Sequence, residues 1–306
     1  MHLHPRLAAL MSVMRAPDLR APVDELRRRF WRIAQAHEGD APAMLAVQNM
    51  RIAGAAGALP ARLYTPFAAG GTGPGLLFFH GGGFVVGDLE SHDVMCRRLA
   101  ESARVRVLAV AYRLAPEHKF PAAVEDAAAA AHWLAAHGPA LNIDSARLAV
   151  GGDSAGGNLA TVTALAARRT GPPLRAQLLI YPSTQWVRMT PSQVRLREGH
   201  LLTQAVQDFF KRKYLTHDEE AHDVRCSPLL ENDLHGMPAT YIVTGGLDPL
   251  SDEGAAYGQK LAACGVPVTH RHYPNELHGF FSMTAVSRAA REALRDAGAW
   301  LACALA

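Results

Sequence analysis

From residue 75 onward, short apolar runs alternate with helical patterns, and this alternation constrains the fold more than any other feature of the sequence. Six runs have the length and composition of buried strands: residues 75–79, 105–112, 148–151, 176–181, 240–243 and 268–273. Helical patterns lie between most of them: residues 94–101, 122–137, 158–169 and 252–264. Strands joined through helices pair in parallel with right-handed crossovers, and strands that are apolar throughout are buried on both faces. The sequence therefore predicts an α/β protein with a mostly parallel sheet.

Two further strands precede this region, and one long interval interrupts it. Residues 44–52 and 60–64 have strand character and follow an N-terminal stretch with helical spacing, which extends to about residue 39. About fifty residues then separate Tyr181 from the next run at Thr240. An insertion of this length inside a compact domain is either functional or disordered. Its aromatic and leucine content favours a folded lid.

The strongest local signal is the pentapeptide Gly152-Asp153-Ser154-Ala155-Gly156, which lies between a strand run and a helical pattern. A sharp strand-to-helix turn exposes a serine hydroxyl at the edge of the sheet, and glycines flank the serine because side chains there would clash. The helix start also brings backbone N–H groups and a positive dipole end to the same place. The pentapeptide alone also fits a structural glycine turn, but its position between strand and helix favours a nucleophile.

A second motif, His80-Gly81-Gly82-Gly83-Phe84, directly follows the first apolar run. Consecutive glycines let backbone N–H groups turn toward one point, which is how an oxyanion hole is built without side chains. A phosphate-binding loop is a weaker interpretation, because neither a G-x-G-x-x-G motif with a ribose-binding acid nor a G-x-x-x-x-G-K-[ST] motif is present.

A nucleophilic serine needs a histidine base and an acid that orients the histidine. Among 15 histidines, position selects His278, which comes just after the last strand run, whereas His270 and His272 lie within that run. Asp248 follows the preceding run, and Asp252 is the competing acid, better placed to begin the next helix. The resulting order of serine, aspartate and histidine is that of α/β hydrolases.

With these motifs the chain resembles the hormone-sensitive-lipase-like branch of the α/β hydrolases, the bacterial family IV esterases. The matching stretches are HGGGF, YRLAPE, FPAAVED, GDSAGGN, DPLSDEG and HGF, in the family's order over roughly residues 75–285. The resemblance implies an α/β-hydrolase fold with an eight-stranded, mostly parallel sheet whose second strand is antiparallel, flanked by helices. It also implies a helical cap, formed by about residues 1–45 and 183–225. Because Ser154, Asp248 and His278 must meet over one sheet, we expect a single domain over residues 1–306.

The resemblance further implies roles for individual residues. Ser154 would be the nucleophile, Asp248 the acid and His278 the base. Three backbone N–H groups would form the oxyanion hole, those of Gly82, Gly83 and Ala155. Four side chains are candidates for the substrate pocket, with ordinary lid core as the alternative: Phe84, Trp186, Leu202 and Phe210.

The implied activity is hydrolysis of short- to medium-chain carboxylic esters through an acyl-enzyme, without a metal or organic cofactor. Hydrolysis of amides or carbamates, or acyl transfer, would use the same three residues and stays an alternative. A second alternative is a non-catalytic small-molecule receptor of the same fold, against which the intact Ser154 and His278 argue. A third is a true lipase, which would favour a larger exposed apolar lid.

Charge and composition exclude other classes of protein. The net charge of +3 is too balanced for a nucleic-acid-binding or polybasic membrane-binding surface. Because no apolar run reaches roughly 18 residues, stable membrane insertion is not expected. The four cysteines have no C-x-x-C spacing, which fits a reducing compartment. The segment from His217 to Asp223 favours a solvated acidic turn over a metal site.

The start of the chain bears on localisation. The short apolar segment at residues 7–14 favours an amphipathic helix over a signal peptide, so we expect a cytoplasmic protein. Homodimerisation through an edge strand is common among relatives of this kind, and the sequence leaves it open.

Overall fold

The computed structural model of the protein describes residues 17–306, and its central element is an eight-stranded sheet. The strands are β1 (Ala46–Gly54), β2 (Gly57–Thr65), β3 (Gly73–Phe79), β4 (Arg106–Val110), β5 (Ile143–Asp153), β6 (Ala176–Ile180), β7 (Ala239–Leu247) and β8 (Val268–Leu277). Each predicted strand run overlaps one of these strands, so the predicted sheet is confirmed.

The order of the strands across the sheet is β1-β2-β4-β3-β5-β6-β7-β8. Strand β2 runs antiparallel to both of its neighbours, β1 and β4. Every other neighbouring pair is parallel, as the family resemblance implied. The carboxyl ends of β3, β5, β7 and β8 therefore lie at the same edge of the sheet, and the segments that follow them can meet there.

Eight α-helices accompany the sheet within residues 17–306. They are α1 (Val23–His37), α2 (Asp93–Ala103), α3 (Ala122–His137), α4 (Ala155–Thr170), α5 (Pro191–Arg195), α6 (Gln204–Tyr214), α7 (Ser251–Ala263) and α8 (Arg288–Ala304). Helices α2, α3, α4 and α7 confirm the four helical patterns predicted between strands. The helix expected at residues 7–14 lies outside the described residues.

Helix α8 has no counterpart among the predicted helices. Its buried residues recur at helical spacing but are mostly small: Ala290, Ala293, Leu294, Ala297, Gly298 and Leu301. Alanine is frequent throughout this chain, so such a stripe is a weak signal in the sequence. Close packing of α8 against α2 requires small residues, because a Cβ on Gly298 would lie 2.3 Å from the Cβ of Ser102 in α2.

The hydrophobic core lies on both faces of the sheet. In β3, Leu77 and Phe79 belong to the cluster that α3 and α4 cover, whereas Leu76 and Phe78 belong to the cluster beneath α2 and α8. Successive side chains of a strand point to opposite faces, so a strand that is buried on both faces must be apolar throughout.

Two segments outside this sandwich border the carboxyl edge of the sheet: helix α1, and the interval between β6 and β7, which carries α5 and α6. Arg27 fastens α1 to the core. It donates to both carboxylate oxygens of Glu117 at 2.9 and 2.7 Å, and to the carbonyl oxygens of Ala115 and Val85 at 3.0 and 2.9 Å. The two segments correspond to the expected cap pieces, and the division into one domain with a cap stays a prediction.

The helices of residues 17–306 include none that is both long and apolar enough to cross a membrane.

Candidate active site

Ser154 makes the turn between β5 and α4. Strand β5 ends at Asp153 and α4 begins at Ala155, and the serine between them has a φ of 54° and a ψ of −115°. Positive φ is uncommon for a residue other than glycine, and such strain persists only where the surrounding packing enforces it. The packing is tight here, since a Cβ on Gly156 would lie 1.9 Å from the carbonyl oxygen of Phe79. The glycine lets α4 approach β3, and the turn presents the serine hydroxyl.

His278 and Asp248 directly follow the ends of β8 and β7, and the fold brings both to Ser154. His278 Nε2 lies 2.9 Å from Ser154 Oγ, and His278 Nδ1 lies 2.8 Å from Asp248 Oδ2. Asp248 is fully buried, and its Oδ1 accepts the N–H of Leu250 at 2.8 Å. An ionised carboxylate only accepts hydrogen bonds. Nδ1 of His278 therefore carries the proton, and the lone pair of Nε2 faces the serine hydroxyl.

Residues 80–84, which we call the oxyanion loop, place backbone N–H groups beside the serine. Gly82 and Gly83 have φ values of 118° and 60°, and they line the same cavity as Ser154 and Ala155. Within residues 17–306, the N–H groups of the two glycines have no hydrogen-bond acceptor. Ala155 is the first residue of α4, where N–H groups lack an intrahelical acceptor. All three amides are therefore available as donors.

Contacts with buried residues hold the start of the oxyanion loop in place. The ring of His80 stacks on that of Tyr112, with 4.4 Å between centroids, and the Tyr112 hydroxyl donates to the His80 carbonyl oxygen at 2.7 Å. Burial lowers the pKa of His80 to about 4, so its ring is neutral at pH 7. The N–H of Gly81 donates to Asp153 Oδ1 at 2.8 Å. This links the loop to the residue that precedes the serine.

A cavity of about 930 Å³ opens onto Ser154, with walls from α1, from the interval between β6 and β7, and from the carboxyl edge of the sheet. Three of the four predicted pocket side chains line it, namely Trp186, Leu202 and Phe210. Phe210 lies close to the oxyanion loop, since a Cβ on Gly83 would come within 2.3 Å of its ring.

The fourth predicted pocket residue, Phe84, lies elsewhere. Its side chain is fully buried and is absent from the described lining of the cavity. It stacks on Tyr214 with centroids 3.8 Å apart and an angle of 6° between the rings. The reason is a tight turn, in which the N–H groups of Val85 and Val86 donate to the carbonyl oxygen of Gly82. This turn, with a φ of 63° at Phe84 itself, directs the ring into the core.

Several residues of the cavity were not predicted as site residues. Phe30 and Ile33 of α1, Met283 after β8, and His92 before α2 all line it. The sequence predicts that α1 is helical from the spacing of its apolar residues, but nothing in that spacing indicates which element the helix will face.

The competing candidates lie away from the serine. Asp252 is in the first turn of α7 and accepts the N–H of Ser192 at 2.7 Å. His270 Nε2 and His272 Nδ1 lie 2.8 and 3.0 Å from the hydroxyl oxygen of Thr244. In the part of the chain that the structure describes, no group of three or more His, Cys, Asp or Glu side chains could hold a metal ion.

Comparisons with known proteins show which family the chain is similar to. A profile of the α/β-hydrolase fold family matches residues 76–282. The esterase LipI of Mycobacterium tuberculosis (strain H37Rv) is 43% identical over 253 residues, which cover 81% of this chain and 79% of that protein. The ethyl acetate hydrolase of Pseudomonas putida is 38% identical over 307 residues, 96% of each chain. A hyperthermophilic esterase from the archaeon Pyrobaculum calidifontis superimposes with a TM-score of 0.94 at 36% identity, over 100% of both chains.

The fold, the order of the motifs and these similarities confirm the resemblance drawn from the sequence. The chain belongs to the α/β-hydrolase family, in its hormone-sensitive-lipase-like branch, and is a carboxylic ester hydrolase.

Proposed function

We propose that this enzyme hydrolyses short- to medium-chain carboxylic esters through an acyl-enzyme on Ser154. The observation that carries the proposal is one continuous set of contacts. Asp248 binds His278, His278 binds Ser154, and the cavity that Ser154 and His278 line is also lined by the residues of the donor amides. A nucleophile hydrogen-bonded to a base that is itself oriented by a third group is the arrangement that activates a serine.

The reaction follows from the positions of these groups. His278 Nε2 takes the hydroxyl proton as Ser154 Oγ attacks the ester carbonyl carbon. The tetrahedral oxyanion accepts hydrogen bonds from the N–H groups of Gly82, Gly83 and Ala155. His278 then gives its proton to the alcohol oxygen as the C–O bond breaks, which leaves the acyl group on Ser154. Water then attacks the acyl carbon and gives a proton to His278, which returns it to Ser154 Oγ as the C–O bond to the serine breaks and the acid leaves.

Asp248 acts through His278. Its buried carboxylate holds the imidazole in the tautomer with the proton on Nδ1, and it stabilises the imidazolium that forms during each step without taking the proton.

Replacing Ser154→Ala tests the nucleophile. We expect turnover of p-nitrophenyl butyrate to fall by about 10³-fold or more, because the covalent route is lost while the binding site remains. Far-UV circular dichroism should match the wild type. Undiminished activity in a folded variant would contradict the assignment.

The two candidate acids form a matched pair for a second test. Asp248→Asn should lower kcat by about 10³- to 10⁴-fold, because an amide at this position favours the wrong tautomer of His278. Asp252→Asn should leave kcat within about twofold, since Asp252 bonds the N–H of Ser192 instead. Steady-state kinetics of the two variants distinguish the candidates. A large loss of kcat in Asp252→Asn alone would show that Asp252 is the acid.

The preference for short to medium acyl chains rests on the enclosure of the serine, because α1 and the interval between β6 and β7 both wall the cavity. A relative is named as a hydrolase of ethyl acetate, a short ester. We expect kcat/KM for p-nitrophenyl esters, measured from acetyl to palmitoyl, to be highest below ten carbons. A maximum at palmitoyl would contradict the proposal.

A further inference from the structure

We propose that His92 is a positioning residue, which holds the oxyanion loop against the serine turn through its contacts with Gly81 and Asp153. The proposal rests on the ester hydrolysis proposed above, in which that loop binds the oxyanion. His92 precedes α2 and is almost fully buried.

His92 contacts the loop directly, since the N–H of Gly81 donates to His92 Nε2 at 3.3 Å, and it also contacts the loop through a carboxylate oxygen. His92 Nε2 lies 3.3 Å from Asp153 Oδ1, and the same oxygen accepts the N–H of Gly81 at 2.8 Å. Asp153 is adjacent to Ser154, and Gly81 is adjacent to the donor Gly82. One carboxylate thus fixes the distance between the nucleophile and the oxyanion donors.

The hydrogen bonds of the ring fix its orientation. Nδ1 lies 3.0 Å from Ser91 Oγ, and the Ser91 hydroxyl donates to the carbonyl oxygen of Asp88 at 3.1 Å. The Ser91 hydroxyl can donate either to that oxygen or to Nδ1 of His92, and Nε2 accepts the N–H of Gly81 at 3.3 Å. Both ring nitrogens therefore have a hydrogen-bond partner, which fixes the orientation of the ring.

Titratable groups and aromatic rings surround His92. Burial lowers the pKa of His92, but the carboxylates of Asp153, Glu38 and Asp88 raise it by more, so the net shift is upward. Burial raises the pKa of Asp153, whereas the His92 charge and the surrounding hydrogen bonds outweigh it and leave the pKa lowered. The nearby ring of His80, 5.4 Å between centroids, is neutral at pH 7. From α1, the ring of Phe30 stacks on His92 at 6.1 Å.

The segment that carries His92 is itself anchored. Asp93 Oδ1 accepts hydrogen bonds from Arg62 and from the Tyr64 hydroxyl, each at 3.0 Å. The N–H of Ser91 donates to Asp88 Oδ1 at 2.7 Å. These contacts of its two neighbours fix the backbone at His92, so its ring can hold the side chain of Asp153 in place.

Loss of the His92 imidazole ring should affect the chemical step more than substrate binding. Asp153 and the N–H of Gly81 would each lose a contact, so the oxyanion loop could shift relative to the serine turn. A displacement of about 1 Å at reacting groups can cost ~10²-fold in rate. The apolar cavity that binds the ester would remain.

Two substitutions test the role with p-nitrophenyl butyrate. His92→Phe keeps a ring but removes both ring nitrogens, and we expect kcat to fall roughly 10- to 100-fold with KM within about threefold. His92→Gln keeps a neutral donor and should recover part of the loss. Labelling of Ser154 by a fluorophosphonate should slow in parallel with kcat, because it also develops charge on an oxygen in the oxyanion hole. His132→Gln, on the exposed side of α3, is the matched control and should match the wild type.

Wild-type kcat in a folded His92→Phe enzyme would overturn the proposal, as would a loss that appears only in KM. If His92→Phe does not fold, Asp153→Asn decides. It keeps an acceptor for Gly81 but removes the charge, and its kcat should fall about tenfold. Ser154→Ala, assayed alongside, separates the two proposals. If that variant retains activity, the nucleophile is wrong, whereas its inactivity combined with a fully active His92→Phe refutes only the role of His92.

Discussion

At the scale of single residues, the strained backbone of Ser154 is possible because Gly152 and Gly156 have no side chains. A non-glycine residue in this backbone region costs of order 1–3 kcal/mol and needs surrounding structure to hold it. On both sides of the serine, backbone occupies the space that a side chain would take. A Cβ on Gly152 would lie 2.4 Å from the backbone of Gly156, and a Cβ on Gly156 would lie 1.9 Å from the carbonyl oxygen of Phe79.

Gly156→Ala should therefore destabilise the protein by about 3 kcal/mol or more, because backbone must move to admit the methyl group. Gly71→Ala is the control, since a Cβ there meets nothing within 4 Å, and its effect should stay within about 0.5 kcal/mol. Urea denaturation of the two variants gives both values. Equal stability of the two variants would show that α4 can move away from β3 without destabilising the protein.

At the scale of secondary-structure elements, α1 depends on Arg27 for its position over the cavity. The guanidinium donates hydrogen bonds to Glu117 and to two backbone carbonyl groups, and the Arg27 side chain as a whole is 26% exposed. A hydrogen bond to a charged group contributes more than a neutral one, whereas solvent screening weakens the ion pair with the half-exposed Glu117.

Arg27→Ala should lower the free energy of unfolding by about 1–2 kcal/mol, chiefly by leaving the carbonyl oxygens of Ala115 and Val85 without their donor. Arg28→Ala, at an exposed position on the same helix, should change it by less than about 0.5 kcal/mol. Chemical denaturation measures both. Comparable effects of the two substitutions would mean that α1 is held by its apolar face alone.

At the scale of the whole molecule, the site is assembled from segments far apart in the chain. Ser154, Asp248 and His278 follow three different strands of one sheet, and His278 bonds a serine 124 residues away. The core is continuous on both faces of that sheet. A domain boundary between the three residues would separate groups that must stay within hydrogen-bond distance.

We expect the chain to unfold as one cooperative unit. Loss of esterase activity, far-UV circular dichroism and tryptophan fluorescence should show the same midpoint in urea, because Trp133 and Trp300 report on core helices while Trp186 reports on the cavity wall. Loss of activity at a clearly lower urea concentration than loss of helix would contradict this, and it would show a cap that unfolds separately.

The sequence by itself determined the sheet, most of its helices, and the three residues expected at the serine. Strand and helix periods, and the glycines that a strand-to-helix turn requires, are local properties that a few neighbouring residues express. The parallel strands then place the ends of β5, β7 and β8 at one edge, so the meeting of Ser154, Asp248 and His278 could be anticipated from chain order.

Tertiary structure alone decided the rest of the site. The motif HGGGF contains Phe84, but only the tight turn at Gly82 and the ring of Tyr214 determine that this side chain enters the core. The pairing of His92 with Asp153 joins two positions 61 residues apart, and neither has a local pattern that marks the other. Such contacts depend on how separately formed elements pack, and that information lies in shape and burial rather than in the spacing of residues along the chain.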